Sequence, residues 1–196
     1  MTINDARYKI SSAKVEQCPD TNVPEYAFIG RSNVGKSSLI NLLTKKGLAK
    51  TSQKPGKTML INHFEINNGE FYIVDLPGYG YATANERVKA SWGKLIEDYL
   101  HQSKQIQAVF LLIDIRHAPS ENDRIMYQWI LDRGYKPIII ATKLDKIKRS
   151  QLDKQLKLIR ETLQVAEDTI VIPYSSLSKQ GREEIYDLLD HMLEEK

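Results

Sequence analysis

Short apolar blocks separated by longer polar stretches set the rhythm of the chain. Tyr26-Ala27-Phe28-Ile29, Phe71-Tyr72-Ile73-Val74, Ala108 to Ile115, Pro137 to Ala141 and Ile170-Val171-Ile172 are rich in branched and aromatic residues. Runs without polar alternation are expected of parallel strands buried on both faces. Met59 to Ile66 adds a strand that Asn67-Asn68-Gly69, a hairpin turn signal, folds back onto the Phe71 run. Helical spacing fills the gaps. Leu39, Ile40, Leu42 and Leu43 mark one helix, and Thr83-x-x-Glu86 opens another that runs toward Leu100. Ser120-x-x-Asp123 and Ser150-x-x-Asp153 have the same capping form, Gly134 ends the helix after Ser120, and Gly181 to Glu195 is a final amphipathic helix. Residues 1–24 read as an N-terminal arm whose alternation around Tyr8, Ile10 and Ser12 allows a short edge strand. Strand–helix alternation predicts an α/β fold over residues 25–196. It consists of a mostly parallel six-stranded sheet with one antiparallel strand and helices on both faces.

Composition changes this picture little. The 196 residues are 41% hydrophobic and 27% charged, ordinary for one globular unit with a full core. No run approaches the roughly 20 apolar residues of a membrane helix. The start MTINDARYKI lacks an apolar signal core, so a cytoplasmic protein is expected, and a monomer. The single Cys18 cannot form an internal disulfide and reads as incidental. The net charge of +3 matters less than its distribution. Between Tyr26 and Phe64 there is no acid, while Arg31, Lys36, Lys45, Lys46, Lys50, Lys54 and Lys57 accumulate, and residues 143–160 are again basic. Part of this charge answers a nucleotide. The rest suits either a polyanionic partner or a plain solvated lysine face.

The chemistry centres on Gly30 to Ser37, which matches G-x-x-x-x-G-K-[ST] at every fixed position between a strand and a helix. Glycines let the backbone curl so that successive N–H groups face a polyphosphate, and the following helix adds its positive end. Gly30, Arg31, Ser32, Asn33, Val34, Gly35, Lys36, Ser37 and Ser38 are therefore candidate nucleotide contacts. Lys36 would bridge β- and γ-phosphate oxygens, and Ser37 would ligate Mg²⁺.

Ligands of open α/β sheets lie beyond the carboxyl ends of the strands, so the loops after the apolar runs should converge there. Asp75-Leu76-Pro77-Gly78 offers a carboxylate for Mg²⁺ through water and a Gly78 N–H for the γ-phosphate. Thr142-Lys143-Leu144-Asp145 offers a carboxylate that accepts from both guanine N1–H and its exocyclic amine, with the Lys143 stem along the ring. Adenine lacks that donor pair, so GTP, hydrolysed to GDP, is the expected substrate. Ser175-Ser176-Leu177 could aim backbone N–H groups at guanine O6.

The set GRSNVGKS, PGKT, DLPG, TKLD and SSL resembles the ordered motifs of the translation-factor-like small GTPases, which share the P-loop NTPase fold. Within them, PGKTMLINHF, DLPGYGYA and DIRH closely resemble the EngB/YihA/YsxC family of bacterial ribosome-biogenesis GTPases. The resemblance runs from about Tyr26 to Gly181. It implies that Thr58, beside Lys57, joins Ser37 and Asp75 at Mg²⁺ when γ-phosphate is present, and that Lys36, Thr58 and Gly78 serve hydrolysis. It implies that Thr44–Thr58 and Leu76–Arg87 are switches. It further implies a role in assembly of the large ribosomal subunit or its precursor, through rRNA and ribosomal proteins, and in normal cell division. A division or membrane-associated partner, and a small-molecule kinase of the same fold, stand as rivals.

Two departures from the general GTPase pattern stand out. Thr142 replaces a common Asn, losing an amide that braces the loop and contacts the base. Tyr79 follows Gly78 where Ras-like enzymes carry a water-orienting glutamine, so slow intrinsic hydrolysis is expected. Asn33 offers either a weak neutral ligand for K⁺ beside the phosphates, as related GTPases with this Asn imply, or a brace for the loop.

Overall fold

The computed structural model describes residues 3–49, 59–80 and 86–195, with backbone only over 86–92. Among the described residues, seven strands form one sheet in the order β1-β3-β4-β2-β5-β6-β7. They are β1 (Ala6–Ser12), β2 (Glu25–Gly30), β3 (Ile61–Ile66), β4 (Phe71–Asp75), β5 (Ile106–Asp114), β6 (Ile138–Thr142) and β7 (Val171–Pro173). The helices are α1 (Lys36–Thr44), α2 (Glu86–Gln102), α3 (Glu121–Asp132), α4 (Leu152–Leu163) and α5 (Arg182–Glu194). The sheet therefore has one strand more than the six expected. The seventh is the strand of the N-terminal arm, which pairs antiparallel with β3 from Ala6↔Ile66 to Ser12↔Ile61. Only β3 runs against the rest, because the Asn67-Asn68 turn reverses it onto β4, with both asparagines left-handed at φ 49° and 57°.

The uninterrupted apolar runs bury both faces. Along β5, Phe110 and Leu112 join the core under α1 and α5, while Val109, Leu111 and Ile113 join the core under α2, α3 and α4. On the first side Leu39, Ile40 and Leu43 of α1 meet Ile185 and Leu189 of α5. On the second, Ile96 and Tyr99 of α2, Met126 and Ile130 of α3 and Ile159 of α4 close the layer. Each such side chain removed from water contributes roughly 1.5–3 kcal/mol. Two long layers therefore hold the strand ends still.

The caps are mixed. Ser120 and Asp123 form the expected reciprocal box at α3. Ser150 does not cap α4. Residues Arg149–Gln151 form a tight turn first, so Ser150 lies inside the turn instead of ahead of the helix, and α4 starts at Leu152. The turn's own Gln151 N–H to Lys148 carbonyl bond, 2.9 Å, supplies the start that a serine would otherwise make. The Thr83 cap falls outside the described residues. Among those described, no helix is long and apolar enough to cross a membrane.

Candidate functional site

The carboxyl ends of β2, β4, β6 and β7 open into a cleft of about 410 Å³. Its central element is the turn from β2 into α1. Gly35, at φ +107°, takes a left-handed conformation costly for any side chain, and Asn33 beside it sits at φ +66°. Such reversals turn backbone N–H groups to one side. The first turn of α1, whose N–H groups have no partner within the helix, carries no acid to occupy them.

Two neighbouring loops grip this turn. The Thr142 hydroxyl donates to the Val34 carbonyl at 2.7 Å, Lys143 Nζ donates to the Asn33 carbonyl at 2.9 Å, and the Ser32 N–H donates to the Tyr79 carbonyl at 2.9 Å. The first of these corrects an expectation. Thr142 does not forgo the brace of the usual asparagine. Its shorter side chain, 1% exposed, reaches the phosphate loop directly.

On the floor, Lys36 and Asp75 form a close ion pair, with side chains only 11% and 8% exposed. A pair so buried leaves either charge uncompensated if the other moves away. A polyphosphate bearing a hard cation provides for both, an anion for Lys36 and a cation for Asp75. Ser37 stands in the first turn of α1 on the same wall. The Ser32 hydroxyl, buried in the loop, has no hydrogen-bond partner among the described residues. The donor set therefore fits a nucleotide with a divalent metal.

At the other end, Asp145 faces the cleft with its Oδ1 held by the Ser175 hydroxyl at 2.8 Å. That bond lowers the Asp145 carboxyl below its ordinary range, Lys146 Nζ at 3.6 Å helping. Ser175 is fully buried and also accepts the Ser178 N–H at 3.1 Å, which closes the Ser176-Leu177 turn over the cleft. Leu177 is 76% exposed at the rim.

The cleft thus gathers Arg31 to Ser38, Asp75, Gly78, Thr142, Lys143, Asp145, Ser176 and Leu177. Gly30 lies at the end of β2 and Ser175 directly behind Asp145. Lys57 and Thr58 lie outside the described residues. Two features were not anticipated. Asp114, at the end of β5, holds Lys143 Nζ at 3.3 Å and is itself clasped by Arg116 at 2.8 Å. Burial pushes the Asp114 carboxyl up, but the Arg116 and Lys143 contacts outweigh it and bring it to about 2. The DIRH motif contains both residues, yet nothing local to it points to Lys143. The second is the setting of Tyr79, described below.

The family model described as a 50S ribosome-binding GTPase matches residues 25–143. A probable GTP-binding protein EngB of Lachnospira eligens is 54% identical over 191 residues, 97% of this chain and 90% of that one. Its counterpart in Clostridium perfringens is 52% identical over the whole of both chains. The chain belongs to the EngB family. EngB proteins are GTP-binding GTPases, so this chain binds GTP and GDP is its product. A crystal structure of another probable EngB superposes with a TM-score of 0.75 at 26% identity, covering 88% of this chain and 100% of that one. Aquifex aeolicus Era bound to GDP and AlF4⁻ has the same fold, with a TM-score of 0.64 at 22% identity over 85% of this chain and 56% of its own.

Proposed function

We propose that this EngB-family GTPase is an Mg²⁺-dependent switch in the assembly of the large ribosomal subunit, and through it is needed for normal cell division. The observation that carries this is the match to the 50S ribosome-binding GTPase family. Surface charge supports it. Lys148, Arg149, Lys154 and Lys157 are exposed on and before α4, next to the guanine end of the cleft. A face of that kind suits rRNA, with ribosomal proteins beside it. The protein would act as a monomer in the cytoplasm, where ribosomes are built.

In this reading Asp145 selects guanine and the Lys143 stem lies along the ring, with Ser175, Ser176 and Leu177 closing on the base. The loop amides and Lys36 hold the phosphates, and the Gly78 N–H meets the γ-phosphate. Ser37 and Thr58 would hold Mg²⁺ directly and Asp75 through water. The metal supplies neutralisation of phosphate charge when bound. Hydrolysis is positioning and electrostatics without a covalent intermediate. GTP would order the switch segments into a docking surface, and hydrolysis would release it.

Slow intrinsic hydrolysis follows from Tyr79, whose hydroxyl is committed to Asp123 and cannot orient water. Asn33 gives a reason to look for K⁺ as an accelerator. Its side chain is exposed and makes no hydrogen bond among the described residues, which leaves it open to serve as a ligand. The test is affinity capture with GTP-locked protein, with and without nuclease. Large-subunit RNA and proteins should be recovered together, and a nuclease-resistant division protein alone would overturn the reading.

A further inference from the structure

Tyr79, the first residue past the DLPG loop, is completely buried among residues of the α2, α3 and α4 layer. Its hydroxyl donates to Asp123 Oδ1 at 2.7 Å. Asp123 lies in the first turn of α3, is only 4% exposed, and accepts the Ser120 N–H at 2.9 Å through its other oxygen. Both carboxylate oxygens are thus engaged. Burial, with the Asp123 charge behind it, pushes the Tyr79 phenol well above its ordinary range, so it stays a donor. The backbone of Tyr79 is held as well. Its N–H donates to the Gly30 carbonyl at 3.3 Å and its carbonyl accepts the Ser32 N–H at 2.9 Å.

The neighbours on each side are fixed by this arrangement. Gly78 comes so close to the phosphate loop that a Cβ on it would stand 3.1 Å from Ser32 Oγ. Gly80, at φ +76°, passes between two side chains. A Cβ there would stand 3.3 Å from Asn122 Nδ2 of α3 and 3.4 Å from Arg31 Nε. The segment Gly78–Gly80 is therefore clamped between the phosphate loop and the start of α3. A buried tyrosine–carboxylate bond is the side-chain fastener of that clamp.

We propose that Tyr79, anchored by Asp123, is a positioning residue for GTP hydrolysis: it presets the Gly78 N–H against the phosphate loop for the γ-phosphate, and so links α3 to the switch. The inference rests on the assignment of Gly78 to the γ-phosphate. A backbone donor held before the reaction needs no reorganisation during it, which is the source of its electrostatic advantage. The tyrosine thus takes the glutamine's place in the chain with a different task. It orients no water and fixes the donor next to it.

The contact distinguishes nucleotides, because GDP has no γ-phosphate. In full-length Tyr79→Phe the ring remains in the core while the fastener is gone. Affinity for GDP should stay within about twofold. Affinity for a non-hydrolysable GTP analogue, and single-turnover hydrolysis, should each fall roughly tenfold, the scale of one hydrogen bond to a charged group. Asp123→Asn leaves one acceptor oxygen for two donors and should produce the same selective loss. The double variant should be no worse than the worse single one, since both remove one interaction. Gly80→Ala strains the clamp without touching the fastener and should show the same selectivity. Equal losses for GDP and analogue, or a lower Tm with unchanged hydrolysis per folded molecule, would reduce Tyr79 to a core residue and overturn the proposal. A wild-type protein that binds GDP and the analogue without distinction would instead overturn the assignment of Gly78.

Discussion

Replacing Thr142 by valine keeps the branched shape and removes one hydroxyl. That hydroxyl lies 2.7 Å from the Val34 carbonyl and 3.3 Å from the Ile113 carbonyl, and its single proton goes to the nearer. The loss is therefore one hydrogen bond in a site 1% exposed. If water reaches the Val34 carbonyl, the cost is about 0.5–1.5 kcal/mol, and if the carbonyl stays dry it is about 1–3 kcal/mol. Val34 sits in the phosphate loop, so part of this appears as lost nucleotide affinity and part as lost stability. A Kd for GDP weaker by on the order of tenfold corresponds to about 1.4 kcal/mol and lies inside the range. Fluorescent GDP titration and a denaturant melt, run together, apportion the two. Thr142→Ser should behave like the wild type in both. Unchanged affinity and unchanged stability in the valine variant would refute the idea that this hydroxyl does the bracing.

Three other outcomes are expected. Asp145→Asn presents a donor to a guanine donor, and GTP affinity should fall by about one to two decades while xanthine nucleotides gain, both read by competition binding. Hydrolysis should run faster in KCl than in NaCl at equal ionic strength, and Asn33→Ala should erase the difference; identical rates would leave Asn33 a loop residue only. Asp114 has its folded pKa depressed to about 2, below the roughly 3.9 of an unfolded aspartate. Its contribution to stability is therefore present above about pH 4 and lost as pH falls through the folded value. The gap between wild-type and Asp114→Asn melting curves should be constant above that pH and close toward pH 2.

The parts of this molecule that were legible in advance are those with a local signature. The β5 run is apolar at consecutive positions because alternate residues enter different cores, and that pattern needs no partner to be read. The phosphate loop is legible for a similar reason, since fixed spacing imposes its curl, and the order of the loops beyond β4, β6 and β7 follows from parallel topology. What escaped depends on pairs far apart in the chain. Thr142 braces Val34 across 108 positions and Tyr79 meets Asp123 across 44, and neither member of either pair marks its mate. Lys46 makes the same point. It belongs to the basic cluster read as open to a polyanion, yet its amine binds the Ala6 carbonyl at 2.9 Å and Asp5 at 3.2 Å, tying the end of α1 to β1. A charge tally cannot tell a tether from a docking residue.

Binding to the large subunit in each nucleotide state tests the proposed role most directly. Purified large subunits and the full-length protein are sedimented together with GDP or with a non-hydrolysable GTP analogue, across a salt series. The analogue form should pellet with the subunit well above the GDP form, and retention should fall steeply with salt as lysine and arginine contacts to phosphate release counterions. Replacing Lys148, Arg149 and Lys154 together by alanine should shallow that slope and leave GDP affinity alone. Equal retention of the two forms, or none of either, would contradict the reading of this GTPase as a nucleotide-gated factor of the large subunit.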